Sequence, residues 1–104
     1  MELRGKQKRF LRSQAHHLTP IVQIGKSGLS ENLLDQVDDN LERRELIKVT
    51  LLQNTDENAE EVAAILEETL HCAVVQIIGR VLVVYRPSSK AKFQKISLQV
   101  KVMS

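Results

Sequence analysis

Apolar positions recur along this chain with two periods, one helical and one extended, and the switches between them mark seven elements. Residues 3–17 predict a helix: Leu3, Phe10, Leu11, Ala15 and Leu18 lie near one stripe, with Lys6, Lys8, Arg9 and Arg12 mostly elsewhere. Arg4 and Gly5 are weak residues for its first turn. Pro20 biases the residue before it toward extended backbone and closes the helix. Ile21-Val22-Gln23-Ile24 is then a short strand rich in β-branched residues, and Gly25-Lys26-Ser27-Gly28 a loop.

Ser30 is a good N-cap for a second helix reaching about Arg43. Leu29 before the cap and Leu34 four residues into the helix have the spacing of a hydrophobic staple. Leu33, Leu34, Val37 and Leu41 form its inner stripe, and Glu31, Asp35, Asp38, Asp39 and Glu42 populate the rest. Leu46 to Leu52 is the next strand, with Ile47, Val49 and Leu51 on one face and Lys48 and Thr50 on the other. Asn54 to Asn58 is a polar turn. Asn58 followed by Glu61 resembles a capping box for a third helix, about 59–70, burying Val62, Ile65, Leu66 and either Leu70 or Thr69. Val74 to Ile78 and Val81 to Tyr85 are strands separated only by Gly79-Arg80, a two-residue turn of the II′ kind, so they must be antiparallel neighbours.

The order α-β-α-β-α-β-β contains no repeat and no linker. Right-handed strand–helix–strand crossovers favour some parallel pairing, and the hairpin adds an antiparallel pair. The expected fold is α/β: a mixed four-stranded sheet covered by helices on one side, in two layers. Arg86-Pro87-Ser88-Ser89 closes the sheet, so residues 1–89 are the expected domain and 90–104 a basic C-terminal extension. In that tail Phe93, Ile96, Leu98, Val100 and Val102 hint at period two. It is either an added edge strand or a flexible extension, and the extension is the favoured reading.

A length of 104 residues suits one domain, and 42% apolar with 27% charged residues suits a globular chain with a core. No apolar run nears the ~20 residues of a membrane-spanning helix, and the first residues lack the apolar stretch of a secretory signal. The single cysteine, Cys72, allows no internal disulfide and fits a reducing cytoplasm. The net charge of +2 hides an asymmetry. Residues 1–26 carry Arg4, Lys6, Lys8, Arg9, Arg12 and Lys26 against Glu2, a balance of +5. Residues 31–70 carry twelve acids against Arg43, Arg44 and Lys48, a balance of −9. Residues 71–104 carry Arg80, Arg86, Lys90, Lys92, Lys95 and Lys101 and no acid, a balance of +6. Basic ends around an acidic middle suggest one face for a polyanion and one that avoids it; chance clustering of solvated charge is the alternative.

Candidate chemistry centres on Gly25-Lys26-Ser27-Gly28. Two glycines allow positive φ and close backbone approach. The helix that follows points unpaired N–H groups toward the loop, Lys26 adds a mobile cation and Ser27 a hydroxyl, a combination suited to phosphate. GxxG loops of this kind clamp backbone nucleotides in KH domains, although any strand–helix turn can use glycines. The spacing is neither that of a Walker A loop nor that of a dinucleotide fingerprint. His16 and His17 cannot share a helix face and have no ligand-spaced partner, so no metal is expected; core packing or helix-end capping suits them better. Cys72 reads as a small packed residue, and the acids of the second and third helices as a solvated face. No nucleophile–base pair is visible, so no enzymatic activity and no cofactor are expected.

Several segments together resemble one family. They are Lys6-Gln7-Lys8-Arg9-Phe10-Leu11-Arg12, the run Ala15 to Leu29 that includes the loop, Glu45-Leu46-Ile47-Lys48-Val49, Val75-Gln76-Ile77-Ile78-Gly79-Arg80 and Leu82-Val83-Val84-Tyr85-Arg86-Pro87-Ser88. In order and with few gaps from residue 3 to about 89, they look like the CRM domain (chloroplast RNA splicing and ribosome maturation), in its stand-alone bacterial, YhbY-type form. The resemblance implies a fold related to the C-terminal domain of translation initiation factor 3. It also implies RNA binding and association with precursors of the bacterial large ribosomal subunit. The RNA-contacting residues it implies are Gly25, Lys26, Ser27 and Gly28 of the loop, Lys6, Lys8, Arg9 and Arg12 of the first helix, and Arg80 and Arg86 beside the hairpin. The family often starts its first helix with Ser or Thr where Arg4-Gly5 stands here.

The expected function is therefore RNA binding in assembly of the large subunit by a cytoplasmic monomer, with ribosomal RNA as partner, ribosomal proteins as further partners and no membrane. With few aromatic residues, base stacking should contribute little, and phosphates and RNA shape should dominate. The rival expectation is a protein-interaction module that docks basic ribosomal proteins through its acidic helices.

Overall fold

The Ser30 hydroxyl accepts the Leu33 N–H at 3.1 Å, and the Asn58 carboxamide oxygen accepts those of Glu60 and Glu61 at 3.0 and 3.2 Å. Each cap satisfies donors that a helix's first turn leaves open. In the computed structural model, which describes residues 1–103, these caps begin α2 (Glu31–Arg44) and α3 (Ala59–Leu70). The other elements are α1 (Gly5–Ala15), β1 (Val22–Ile24), β2 (Leu46–Leu51), β3 (Ala73–Ile78), β4 (Val81–Tyr85), a 3-10 turn at Ala91–Phe93 and α4 (Ile96–Lys101).

The strands form a mixed four-stranded sheet in the order β1-β2-β4-β3, with β1 parallel to β2 and β4 antiparallel to both neighbours. The Gly79-Arg80 turn takes a positive φ, 58°, at Gly79 alone, as a II′ hairpin requires. The β3–β4 register shifts between Val74 and Gln76, which marks a bulge. Along β3, the Val74 N–H donates to the Glu67 carboxylate at 2.9 Å and the Val75 carbonyl accepts from Arg12 Nε at 3.0 Å. Both contacts cap backbone groups that an edge strand would otherwise offer to another chain.

The sequence predicted helices on one side of the sheet; the structure has them on both, in three layers. The first core joins α2 and α3 to Val22, Ile24, Ile47, Val49, Leu51, Leu82 and Val84. The second packs Leu11 and Ala15 of α1 and Val100 of α4 against Leu46, Val75, Val83 and Tyr85. The reason lies in β4, which is apolar at every position: Leu82 and Val84 enter one core, Val83 and Tyr85 the other. Such a strand needs cover on both faces. Ile65 is also corrected. It is 40% exposed on α3, while Ala63 joins Val62 and Leu66 inside.

The tail is neither an edge strand nor a flexible extension. Ile96 and Val100 stand one helical turn apart and face the second core, whereas Leu98 and Val102 are exposed, so the apparent period of two is really a helical stripe. The packed body thus runs past residue 89. Glu45 anchors this segment. Fully buried at φ 67° just beyond α2, its carboxylate accepts the N–H groups of Ser88, Lys95 and Ser97 at 2.8, 2.9 and 3.1 Å. Gln7 adds a second tie. Its side-chain N–H₂ donates to the carbonyls of Val100 and Met103, and its oxygen accepts the Arg4 N–H at 2.7 Å, which supplies the cap that Arg4-Gly5 lacks.

Candidate nucleic-acid interface

The GKSG loop leaves β1 at Ile24 and reaches the α2 cap at Ser30. The Gly28 N–H donates to the Gly25 carbonyl at 3.0 Å, closing a turn with Lys26 and Ser27 exposed at its tip. Gly28 holds φ 63°, and a Cβ there would stand 2.5 Å from Oε2 of Glu57. The left-handed backbone favours glycine, and any side chain would also have to push the end of Glu57 aside. Behind the loop begins α2, whose first turn carries the positive end of the helix dipole.

Arg80 belongs to the same end of the sheet. Its guanidinium donates to the Leu51 and Leu52 carbonyls at 3.0 and 2.5 Å, and the Leu52 N–H donates to the Ile24 carbonyl at the loop's root. Hairpin turn and loop are thus joined through two residues. Lys6, Lys8 and Arg9 are exposed on α1, while Arg12 is half-buried and tied to Val75. α1 covers one face of the sheet, and the exposed acids Glu31, Asp35, Asp39, Glu60, Glu61 and Glu68 stand on α2 and α3 over the other. The charge asymmetry of the sequence becomes an asymmetry between faces.

Arg86 does not join this group. Only 13% exposed, its guanidinium reaches the Asp38 carboxylate at 2.7 Å, the Glu42 carboxylate at 3.1 Å and the Leu70 carbonyl at 3.0 Å. Ser89 donates its N–H and hydroxyl to Glu42, and the Ser89 hydroxyl is the main cause holding that carboxyl below the usual range, against its partial burial. Arg86 is a clamp at the far end of the sheet, joining α2, the end of α3 and the chain after β4. Two of the acids read as a solvated face, Asp38 and Glu42, are therefore anchors, as is Glu45. The i, i+4 spacing of Asp38 and Glu42 puts those two on one side of α2, a signal the sequence offered beside the Arg-Pro-Ser-Ser run.

His16 and His17 are both exposed rather than packed in the core, and His16 forms the C-cap of α1. Cys72 is buried, its thiol donating to the Leu66 carbonyl and pushed up to about 11 by burial, so it is a packed, unreactive residue.

The sequence profile of the CRS1 / YhbY (CRM) domain matches residues 3–86. The chain is 51% identical over 90 residues to the "Probable RNA-binding protein YqeI" of Bacillus subtilis, covering 86% of this chain and 94% of that one. It is 45% identical over 93 residues to a Haemophilus influenzae protein named "RNA-binding protein", covering 88% and 93%. The solution structure of SAV1595 from Staphylococcus aureus superimposes with a TM-score of 0.73 at 50% identity, covering 90% of this chain and 98% of that one.

Proposed function

Because this chain belongs to the CRS1/YhbY (CRM) domain family, we propose that it is an RNA-binding protein that acts in assembly of the large ribosomal subunit. Its ligand is ribosomal RNA or its precursor, held in the cytoplasm through the GKSG loop and the basic first helix. The observation that carries this reading is the loop itself: Lys26 and Ser27 exposed on a turn closed by Gly28, in front of the positive end of α2. A phosphate there meets a cation, a hydroxyl and helix N–H donors together, against the opposing charge of the Glu57 carboxylate beside Gly28. Lys6, Lys8 and Arg9 extend the contact along α1, and Arg80 adds charge beside the loop. Arg86 supports the fold instead, since acids and a carbonyl occupy its guanidinium. Phe10 and Phe93 are half-buried and Tyr85 is buried, so no broad aromatic platform reads bases, and backbone contacts dominate.

With four to six phosphates engaged, the log–log salt slope of binding to single-stranded or irregular RNA should be roughly −3 to −4, from about −0.7 per phosphate. Lys26→Ala should flatten it by about 0.7. A slope near zero, or an unchanged slope in the Lys26 variant, overturns the electrostatic loop. A second reading, docking of a basic ribosomal protein on the acidic helices, is favoured by Ile65, an exposed apolar residue between Glu61 and Glu68 on α3. It predicts no tight binding of bare RNA, which the same titration decides.

A further inference from the structure

At the end of the sheet remote from the GKSG loop, a groove of about 370 Å³ opens between the ends of α1 and α2 and the start of the tail. Arg43, Arg44 and Lys95 line it with positive charge, and Leu18, Phe93 and Ile96 form an apolar floor. Among the described residues the ion pairs are those of Arg86 with Asp38 and Glu42, so these three cations are without acidic partners. Among the described residues no carboxylate lines the groove; the nearby Glu45 is fully buried and its oxygens are engaged by three N–H groups. Cations near a helix C-terminus also favour the dipole, but that role does not require an apolar floor beside them. The combination of a half-buried ring, free cations and a cavity large enough for a small molecule matches one ligand chemistry: a flat base joined to a phosphate.

We propose that this groove takes one unpaired nucleotide of a single-stranded RNA segment, with its base against Phe93 and its phosphate among Arg43, Arg44 and Lys95. The proposal rests on the RNA-binding reading above but not on the loop. The Lys92 ammonium lies over the Phe93 ring, 5.1 Å from its centre, so a base that stacks on that face must displace it. An unpaired nucleotide is required because a duplex hides the faces of its bases. Two contact points at opposite ends of the sheet would then read backbone at the loop and an exposed base at the groove.

The chain has no tryptophan, so Phe93→Trp places a unique fluorophore on the groove floor. Titration with a single-stranded oligouridylate or oligoadenylate should quench its emission to saturation. Arg43→Gln with Arg44→Gln should weaken that response about tenfold or more, while Lys26→Ala should leave the quench at saturation in place. A duplex of equal length and a polyglutamate peptide should leave the emission unchanged. Salt-sensitive RNA binding without any quench overturns the groove and spares the RNA-binding reading; a quench with no effect of Lys26→Ala on the salt slope does the reverse for the loop. Equal quenching by duplex or polyglutamate, or no effect of the arginine pair, also overturns the proposal. If Phe93→Trp fails to fold, Phe93→Leu, which keeps the packing apolar, should lose affinity for the single strand relative to the duplex, and equal losses for both overturn it.

Discussion

Gly28 is under two constraints, a left-handed backbone and the Glu57 carboxylate above it. Gly28→Ala should lower stability by about 1–3 kcal/mol, measured by urea unfolding. Adding Glu57→Ala should recover the part due to contact and leave roughly 1 kcal/mol due to φ. A Gly28→Ala protein as stable as the parent would show that neither constraint holds. An acidic substitution at Gly28 would set a second carboxylate against Glu57, so Lys26 is the cleaner probe of the loop. The two glycines, the lysine and the cap were all legible as a turn before a helix. Glu57 was not, because it arrives from 29 residues further along and only the packing of α3 on α2 brings it over the loop.

At the scale of elements, the tail is held by one side chain. Burial raises the Glu45 carboxyl, but the N–H groups of Lys95, Ser88 and Ser97 that donate to it outweigh burial and hold it below the usual glutamate range. A carboxyl depressed in the folded state contributes stability at and above its ordinary range, and that contribution is lost as pH falls through the range toward the folded value. Glu45→Gln should therefore cost about 2–4 kcal/mol near neutral pH, and the gap in Tm between the two proteins should narrow on acidification. A gap that stays constant between pH 7 and pH 3 would argue against an ionised anchor. The hairpin and the capped helices were legible because their signals are local. The fourth helix was not: six residues give too few turns for a period to stand out, and its stability comes from Glu45, Gln7 and the second core rather than from propensity.

For the whole molecule, the sheet separates an α1 face bearing free cations from an α2–α3 face bearing free acids. A particle rich in exposed RNA backbone attracts the first face and repels the second. In lysate gradients at low salt the protein should travel with particles near the large subunit, be depleted from translating polysomes, and be released as salt rises. Cells lacking it should accumulate incomplete large subunits, most visibly in the cold. Its presence only in free fractions, or mainly on small subunits, would overturn that assignment. The charge blocks were legible in the sequence. Their sorting onto opposite faces was not, because it depends on α1 crossing to the side of the sheet that α2 and α3 leave open.

What the sequence determined by itself was whatever neighbours along the chain decide: caps, turns, strand and helix periods, the hairpin, the GKSG turn and the family to which their order belongs. Tertiary structure alone decided which side of the sheet each helix covers, that Arg86 clamps α2 rather than facing solvent, that Glu45 holds the tail, and that Arg43, Arg44, Phe93 and Lys95 share a groove. The division follows from the range of the interactions. Backbone propensity and capping act within about one turn and are written where they act. Burial and ion pairing act between residues tens of positions apart, and they are defined only once the sheet has brought those residues together.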